Sequence, residues 1–473
     1  MSHGLLRMKR TTMQPNKVLL VSVCALALSA CALTSPKPKL AATDVPVAFE
    51  QTAPTDAPIW PEPDWWRGFS SQELDGLIAT TQTENLNLAA AEARVLEADA
   101  RAKQAGASLL PTVGLSADAA RETNGRRSAG VSLGASYELD FWGKNRNLLG
   151  AAQAASKATR ADRETVALTA TTGAANTYFQ LLSLRERLSI ARLNLENSLA
   201  VLMVTEARVR DGIASPLELA QQRATVAGQQ AAIPQLEQQE LQTRATLALL
   251  LGRPPEGFDV SAQDLEAIAL PNVAPGLPAE LLVRRPDVVT AEANLSAANA
   301  NLAAARAAFF PSISLTGSGG ISSGSLSGLV SNPIGVLSVG LSLAQTVFDA
   351  GRRAAQTDEA RAREDELLAA YRGAAINAFS EVETALGAIA NLSEQQGYQI
   401  EQVAQSEQAF NIAETRYREG VDDFLHVLDA QRQLYSARDQ LGITKLQRLQ
   451  AIVALYKALG GGWQDPAPNL AQK

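Results

Sequence analysis

The chain has 473 residues, with 42 Lys plus Arg against 49 Asp plus Glu, two histidines and two cysteines. A net charge of −7 argues against a protein that reads nucleic-acid phosphates. So few His and Cys exclude a metal cluster, a disulfide framework and most acid–base machinery. Alanine supplies 84 residues and aromatics only 5%, which suits close-packed long helices better than one large spherical core.

The amino terminus has the form of an export signal. Lys9, Arg10 and Lys17 provide a positive region, and residues 18–28 an apolar run too short to span a bilayer. Leu28-Ser29-Ala30-Cys31 follows the bacterial lipobox pattern, in which the Cys thiol takes a diacylglyceryl group before cleavage. Residues 1–30 are therefore expected to be a lipoprotein signal peptide, Cys31 the lipidated residue, and 31–64 an anchored tail. Ala32, rather than Asp, favours sorting to the outer membrane, and Met1, Met8 and Met13 are all plausible starts.

Downstream, one pattern occurs twice. Leu110-Pro111-Thr112-Val113-Gly114-Leu115 recurs 200 residues later as Phe310-Pro311-Ser312-Ile313-Ser314-Leu315. Arg208-Val209-Arg210-Asp211-Gly212-Ile213 recurs 208 residues later as Arg416-Tyr417-Arg418-Glu419-Gly420-Val421. This drift is small enough to indicate a duplicated unit, with copies over 65–260 and 261–473. After each proline the apolar residues alternate: Val113, Leu115 and Ala117, then Val131, Leu133, Ala135, Tyr137 and Leu139. In copy two Ile313 and Leu315 are followed by Leu337, Val339, Leu341 and Leu343. Period two predicts one strand hairpin per copy, over 111–140 and 311–348. The turn of the first is expected within 121–128, and a Gly/Ser-rich connector within 317–333.

Helices flank the hairpins. Prolines are absent from 112–215 and 334–465, and Leu181, Leu184, Leu188, Leu195 and Leu202 follow three-and-four spacing. The span 145–210 corresponds to roughly 100 Å of helix at about 1.5 Å per residue. A second helix is expected over 215–251 with a kink at Pro234, and copy two repeats the long-then-return arrangement over 352–459. Gly212 and Gly420 mark the reversals, where a residue able to take positive φ is favoured. Spacing near 3.5 indicates coiled-coil-like packing.

No catalytic constellation emerges. His426 is the sole histidine beyond residue 30, and there is no Walker A or His-Glu-x-x-His pattern. Asp422-Asp423, at a helix turn, fits an N-cap. No enzyme activity, cofactor or metal site is predicted. Four alternating strands in an exported lipoprotein instead suggest a membrane barrel. An open sheet cannot persist in lipid, so several protomers must close it, and small Gly, Ser and Ala faces fit a wide tube.

Several motifs then carry a family resemblance. Trp66, Phe69, Leu74, Leu77 and Asn85-Leu86-Asn87-Leu88 match an opening helix; Leu281-Leu282-Val283-Arg284-Arg285-Pro286-Asp287-Val288 and Ala305-Arg306-Ala307-Ala308-Phe309-Phe310-Pro311 form a branch hallmark. Together with Tyr417-Arg418-Glu419-Gly420 and Leu428-Asp429-Ala430-Gln431, they make the chain resemble the TolC/OprM-like outer-membrane efflux channels, specifically their NodT-like lipoprotein branch. The resemblance implies a mainly α fold with membrane β: a homotrimer whose twelve-stranded barrel, four strands per protomer, continues into a long α-helical barrel. It also implies a passive duct for drugs or small molecules, joined to a periplasmic adaptor and an inner-membrane RND pump. By matching position, Leu425 and Asp429 narrow the periplasmic aperture, Tyr417 helps hold it shut, and the turns at Gly212 and Gly420 face the adaptor. The alternatives are a duct for type I protein secretion and a lipid-anchored periplasmic coiled-coil scaffold.

Overall fold

The computed structural model describes Phe49 and residues 60–464 apart from 124 and 272–277. The expected signal peptide and Cys31 lie outside the described residues, as does most of the expected tail. The chain divides into two compact units.

The first unit comprises Leu96–Lys157 and Glu292–Ala370 among the described residues. Its centre is a four-stranded antiparallel meander in sequence order: β1 (Thr112–Arg121), β2 (Arg127–Leu139), β3 (Ser312–Ser323) and β4 (Ile334–Ala344). The two hairpins join where β2 pairs with β3, from Leu139↔Ile313 to Ala129↔Ser323. Register sorts the side chains cleanly. Val113, Leu115, Val131, Leu133, Leu315, Leu341 and Leu343 share one face; Ser116, Ser132, Ser318 and Ser338 share the other. On the hydroxyl face, Ser116 Oγ lies 2.8 Å from Ser132 Oγ, and Ser318 Oγ 2.8 Å from Ser338 Oγ. Strands β1 and β4 are exposed along their whole length, so the sheet has two unpaired edges.

The Gly/Ser-rich stretch beginning at Gly317 is strand as far as Ser323, and the connector is only 324–333. Glycine is required rather than merely loop-like at Gly320, because a Cβ there would lie 2.3 Å from the Val131 carbonyl oxygen. The first turn is likewise tighter than 121–128, since Arg121 and Arg127 already pair. At the opposite end of the sheet Trp142 stacks on Phe310 at 4.8 Å and donates its Nε1–H to the Pro311 carbonyl at 2.7 Å.

The second unit comprises 60–95, Ala158–Ala291 and 371–464 among the described residues. The expected opening helix is broken into a 3₁₀ turn (Trp65–Phe69), α1 (Gln72–Glu84) and α2 (Leu86–Ala107). Ser70 adopts a left-handed conformation with φ 55°, and Asn85 ends α1 while its Oδ1 accepts from the Asn87 and Leu88 amides. These breaks let Trp65, Phe69, Leu74 and Ile78 enter one core with Tyr178, Phe179, Leu247 and Val453. Trp65 stacks on Tyr456 at 4.8 Å.

Two long helices, α3 (Lys144–Arg210) and α8 (Arg352–Arg418), have 67 residues each. Their return helices, α4 (Pro216–Leu250) and α9 (Phe424–Ala458), have 35 each. Helix α4 continues through Pro234 as one element. Ahead of the second hairpin lie α5 (Pro278–Arg284) and α6 (Pro286–Ala307), and the single-turn α7 (Gly328–Ser331) lies in its connector. The Arg-Arg-Pro-Asp motif explains itself at this point. Arg285 is buried, grips Asp287 through two nitrogens, and reaches Glu381 at 2.6 Å and the Ala458 carbonyl at 3.1 Å. A bidentate guanidinium fits that divided task.

Candidate functional site

The two reversals between long and return helices have the same backbone geometry. Gly212 and Gly420 have φ of 73° and 76°, a region that costs other residues steric strain. In each, the next residue's amide reaches back to a carbonyl in the last helical turn: Ile213 to Arg208 at 2.8 Å and Val421 to Arg416 at 2.9 Å. This is the Schellman closure. The return helices then start on different caps. Ser215 forms a capping box with Glu218, whereas Asp423 accepts from the Leu425 amide.

Tyr417 lies at the centre of the contacts beside these turns. The residue is 2% exposed, in a cluster with Val201, Phe410, Phe424 and Val427. Its hydroxyl donates to Glu218 Oε2 at 3.2 Å, and the Arg208 guanidinium lies 4.4 Å from its ring centroid. Arg208 also donates to the Tyr417 carbonyl. Burial raises the Tyr417 pKa, with the nearby Glu218 carboxylate acting in the same direction. Thus one phenol ties the last turn of α8 to α3 and to the first turn of α4.

A buried polar patch follows behind it. Tyr435 donates to the Asn194 carbonyl at 2.8 Å; Gln431 Nε2 donates to Tyr435 at 2.9 Å and to Ser198 Oγ at 3.2 Å. Gln222 Nε2 donates to the Ser198 carbonyl at 2.8 Å. The Oε1 atoms of Gln222 and Gln431 are buried without partners, so this packing retains unsatisfied polarity.

Leu425 and Asp429 stand one turn apart on α9, and both are exposed. Asp429 accepts from Gln433 Nε2 at 2.7 Å. On α9 the buried Phe424, Val427 and Leu428 join the Tyr417 cluster, whereas Leu425 and Asp429 lie on the exposed side. The acidic turn serves a further interaction. Asp422 lies 2.6 Å from His426 Nδ1 and 2.9 Å from Arg416 Nε. Those contacts and the Asp423 amide hold the Asp422 pKa down at about 2, the His426 hydrogen bond contributing most. The same hydrogen bond raises the His426 pKa. Sequence reasoning missed the Arg208–Tyr417–Glu218 hub. Its signal was the duplicated Arg-x-Arg-x-Gly segment, but the equivalents Arg208 and Arg416 diverge, one engaging a phenol and the other Asp422. Among the described residues, no group of His, Cys, Asp and Glu could hold a metal ion.

A four-stranded sheet with one apolar face and two open edges, in a chain that also has two helices of 67 residues, has the parts of a membrane-channel subunit, since an open sheet in lipid needs further copies to close it. The chain belongs to the family described as Outer membrane efflux protein, whose profile matches residues 77–253 and 277–461. It is 43% identical to the pyoverdine export outer membrane protein OpmQ of Pseudomonas putida over 94% of this chain and 97% of that one. It is 32% identical to the cation efflux system protein CusC of Escherichia coli, over 96% of this chain and 100% of the relative. Among solved structures, the outer-membrane channel OprN superposes with a TM-score of 0.83 at 30% identity, covering 92% of this chain and 100% of OprN. The protein is therefore an outer-membrane efflux channel of the trimeric class, in which helical and β-barrels form one duct.

Proposed function

We propose that this chain is the passive outer-membrane duct of a tripartite RND-type pump, anchored by a lipid on Cys31 and without catalysis of its own. Its periplasmic end is gated by α9. Leu425 and Asp429 from three protomers narrow the aperture, and the Tyr417 hub holds each protomer's helix tips in the narrow arrangement. The Gly212 and Gly420 turns receive a periplasmic adaptor. The carrying observation is the exposure of Leu425 and Asp429 on one side of a tip whose other side is pinned by Tyr417. A ring of three carboxylates in a narrow pore repels itself, so removing it should ease opening.

The cargo is a molecule of the pyoverdine kind, a reading supported by the 43% identity with a pyoverdine exporter across nearly all of both chains. Asp429→Ala is expected to raise single-channel conductance in planar bilayers and antibiotic leakage into cells. Unchanged conductance and leakage sink the gate assignment. Accumulation of pyoverdine inside a deletion strain tests the cargo, and intact mass spectrometry of Cys31→Ala against wild type tests the anchor.

A further inference from the structure

The end of the first hairpin breaks a rule that the rest of the sheet obeys. Arg121 and Arg127 are direct cross-strand partners, two like charges side by side, a destabilising arrangement. Both are exposed, and no ion pair engages either among the described residues. Arg126, opposite Glu122 at the turn, has the other parity and is not part of the pair. Register places the Arg121–Arg127 pair on the same face as Val113, Leu115, Ala117, Val131, Leu133 and Ala135. The nearby carboxylates of Asp118 and Glu122 fall on the opposite parity, with Ser116 and Ser132.

In a membrane barrel the apolar face meets lipid and the small hydroxyl face lines the lumen. The two guanidinium groups therefore project outward, away from the cargo path. Depth points the same way. From Arg127 to Leu139 the strand rises about 40 Å, or about 30 Å when tilted by roughly 40°, which is close to the thickness of a bilayer's hydrocarbon core. At the Leu139 end are Phe141 and the stacked Trp142–Phe310 pair, the aromatic level of one interface. The arginines fall at the other interface, in the headgroup layer.

We infer that Arg121 and Arg127 form an outward-facing phosphate-binding site for a phosphorylated glycolipid of the outer leaflet. A doubly charged headgroup supplies the counter-charge that the cross-strand pair lacks, and guanidinium forks match phosphate oxygens bidentately. A trimer carries three such sites around its rim, one at the tip of each first hairpin. The inference rests on the reading that the hairpin tips face outside the cell.

The test uses the full-length trimer in detergent, with diphosphorylated lipid A, its fully dephosphorylated counterpart and inorganic phosphate as probes. Lipid binding is read by native mass spectrometry and by the trimer's melting shift. The wild type is expected to bind the diphosphorylated form preferentially. The R121Q/R127Q double variant is expected to bind it about thirtyfold more weakly, about fivefold per guanidinium near an anionic surface. Gln removes the like-charge repulsion, so the variant is expected to assemble. Equal binding by variant and wild type overturns the site. A matching effect from inorganic phosphate overturns the lipid assignment, and a changed ion selectivity of the pore without changed lipid binding places the pair in the lumen and overturns it as well. Orientation is checked separately. T123C should react with an impermeant maleimide on intact cells; absence of labelling shows that the orientation, and with it the site, is wrong.

Discussion

Replacing Tyr417 by Phe removes one atom from the helix-tip hub and leaves the rest of the packing in place. The ring remains against Phe424, 5.6 Å between centroids, and beneath Arg208. What disappears is the 3.2 Å hydrogen bond to Glu218, together with the hydroxyl's interaction with the Thr205 side chain. A hydrogen bond to a carboxylate contributes about 1.5–3 kcal/mol when well buried, and Glu218 is only half-buried, so about 1 kcal/mol per protomer is reasonable. If the three tips open independently, the open population of each rises about fivefold. If they open together, the terms add to about 3 kcal/mol and the open-to-closed ratio rises roughly 150-fold. Single-channel open probability in planar bilayers separates these outcomes, and Glu218→Gln should move it in the same direction. An unchanged open probability in both variants refutes the idea that this contact breaks on opening.

Two further outcomes are expected. His426 is the sole histidine beyond residue 30, so its ring protons form a resolvable NMR titration with a midpoint above 6.5, which Asp422→Asn lowers towards 6.5. The sign follows from both partners. His426 stabilises the tip below its ordinary pKa and loses that contribution as pH rises through its raised value. Asp422 contributes above its ordinary value and loses this only as pH falls through about 2. The turn is therefore expected to loosen on the alkaline side, and a midpoint at or below 6.5 in the wild type contradicts the pairing. Arg285→Ala leaves Asp287, Glu381 and the Ala458 carbonyl without their shared cation, a loss of about 3 kcal/mol or more measured by thermal or denaturant unfolding. Arg285→Lys should recover only part of this, because one ammonium cannot reproduce the bidentate grip.

The candidate site was only partly legible. Gly212 and Gly420 could be read as turns because a helix reversal needs a residue that tolerates positive φ, and that demand is local. Tyr417, Leu425 and Asp429 came from resemblance, not from spacing. The hub came from neither, because Arg208 and Glu218 reach Tyr417 from positions about 200 residues earlier in the chain.

By itself the sequence determined the period of the long helices and of most of each hairpin: alternation for the strands, long proline-free spans for the helices, and a duplicated order of both. Those properties depend on the backbone's own repeat, which each segment carries wherever it packs. Only the tertiary structure decided which residues face each other. It turned a Gly-rich stretch into strand, because Gly320 lies where the Val131 carbonyl leaves no room for a side chain. It split the opening helix so that Trp65 and Phe69 could enter a shared core. It also set Arg121 beside Arg127 on the apolar face, since cross-strand register depends on the turn and the neighbouring strand and not on either residue alone.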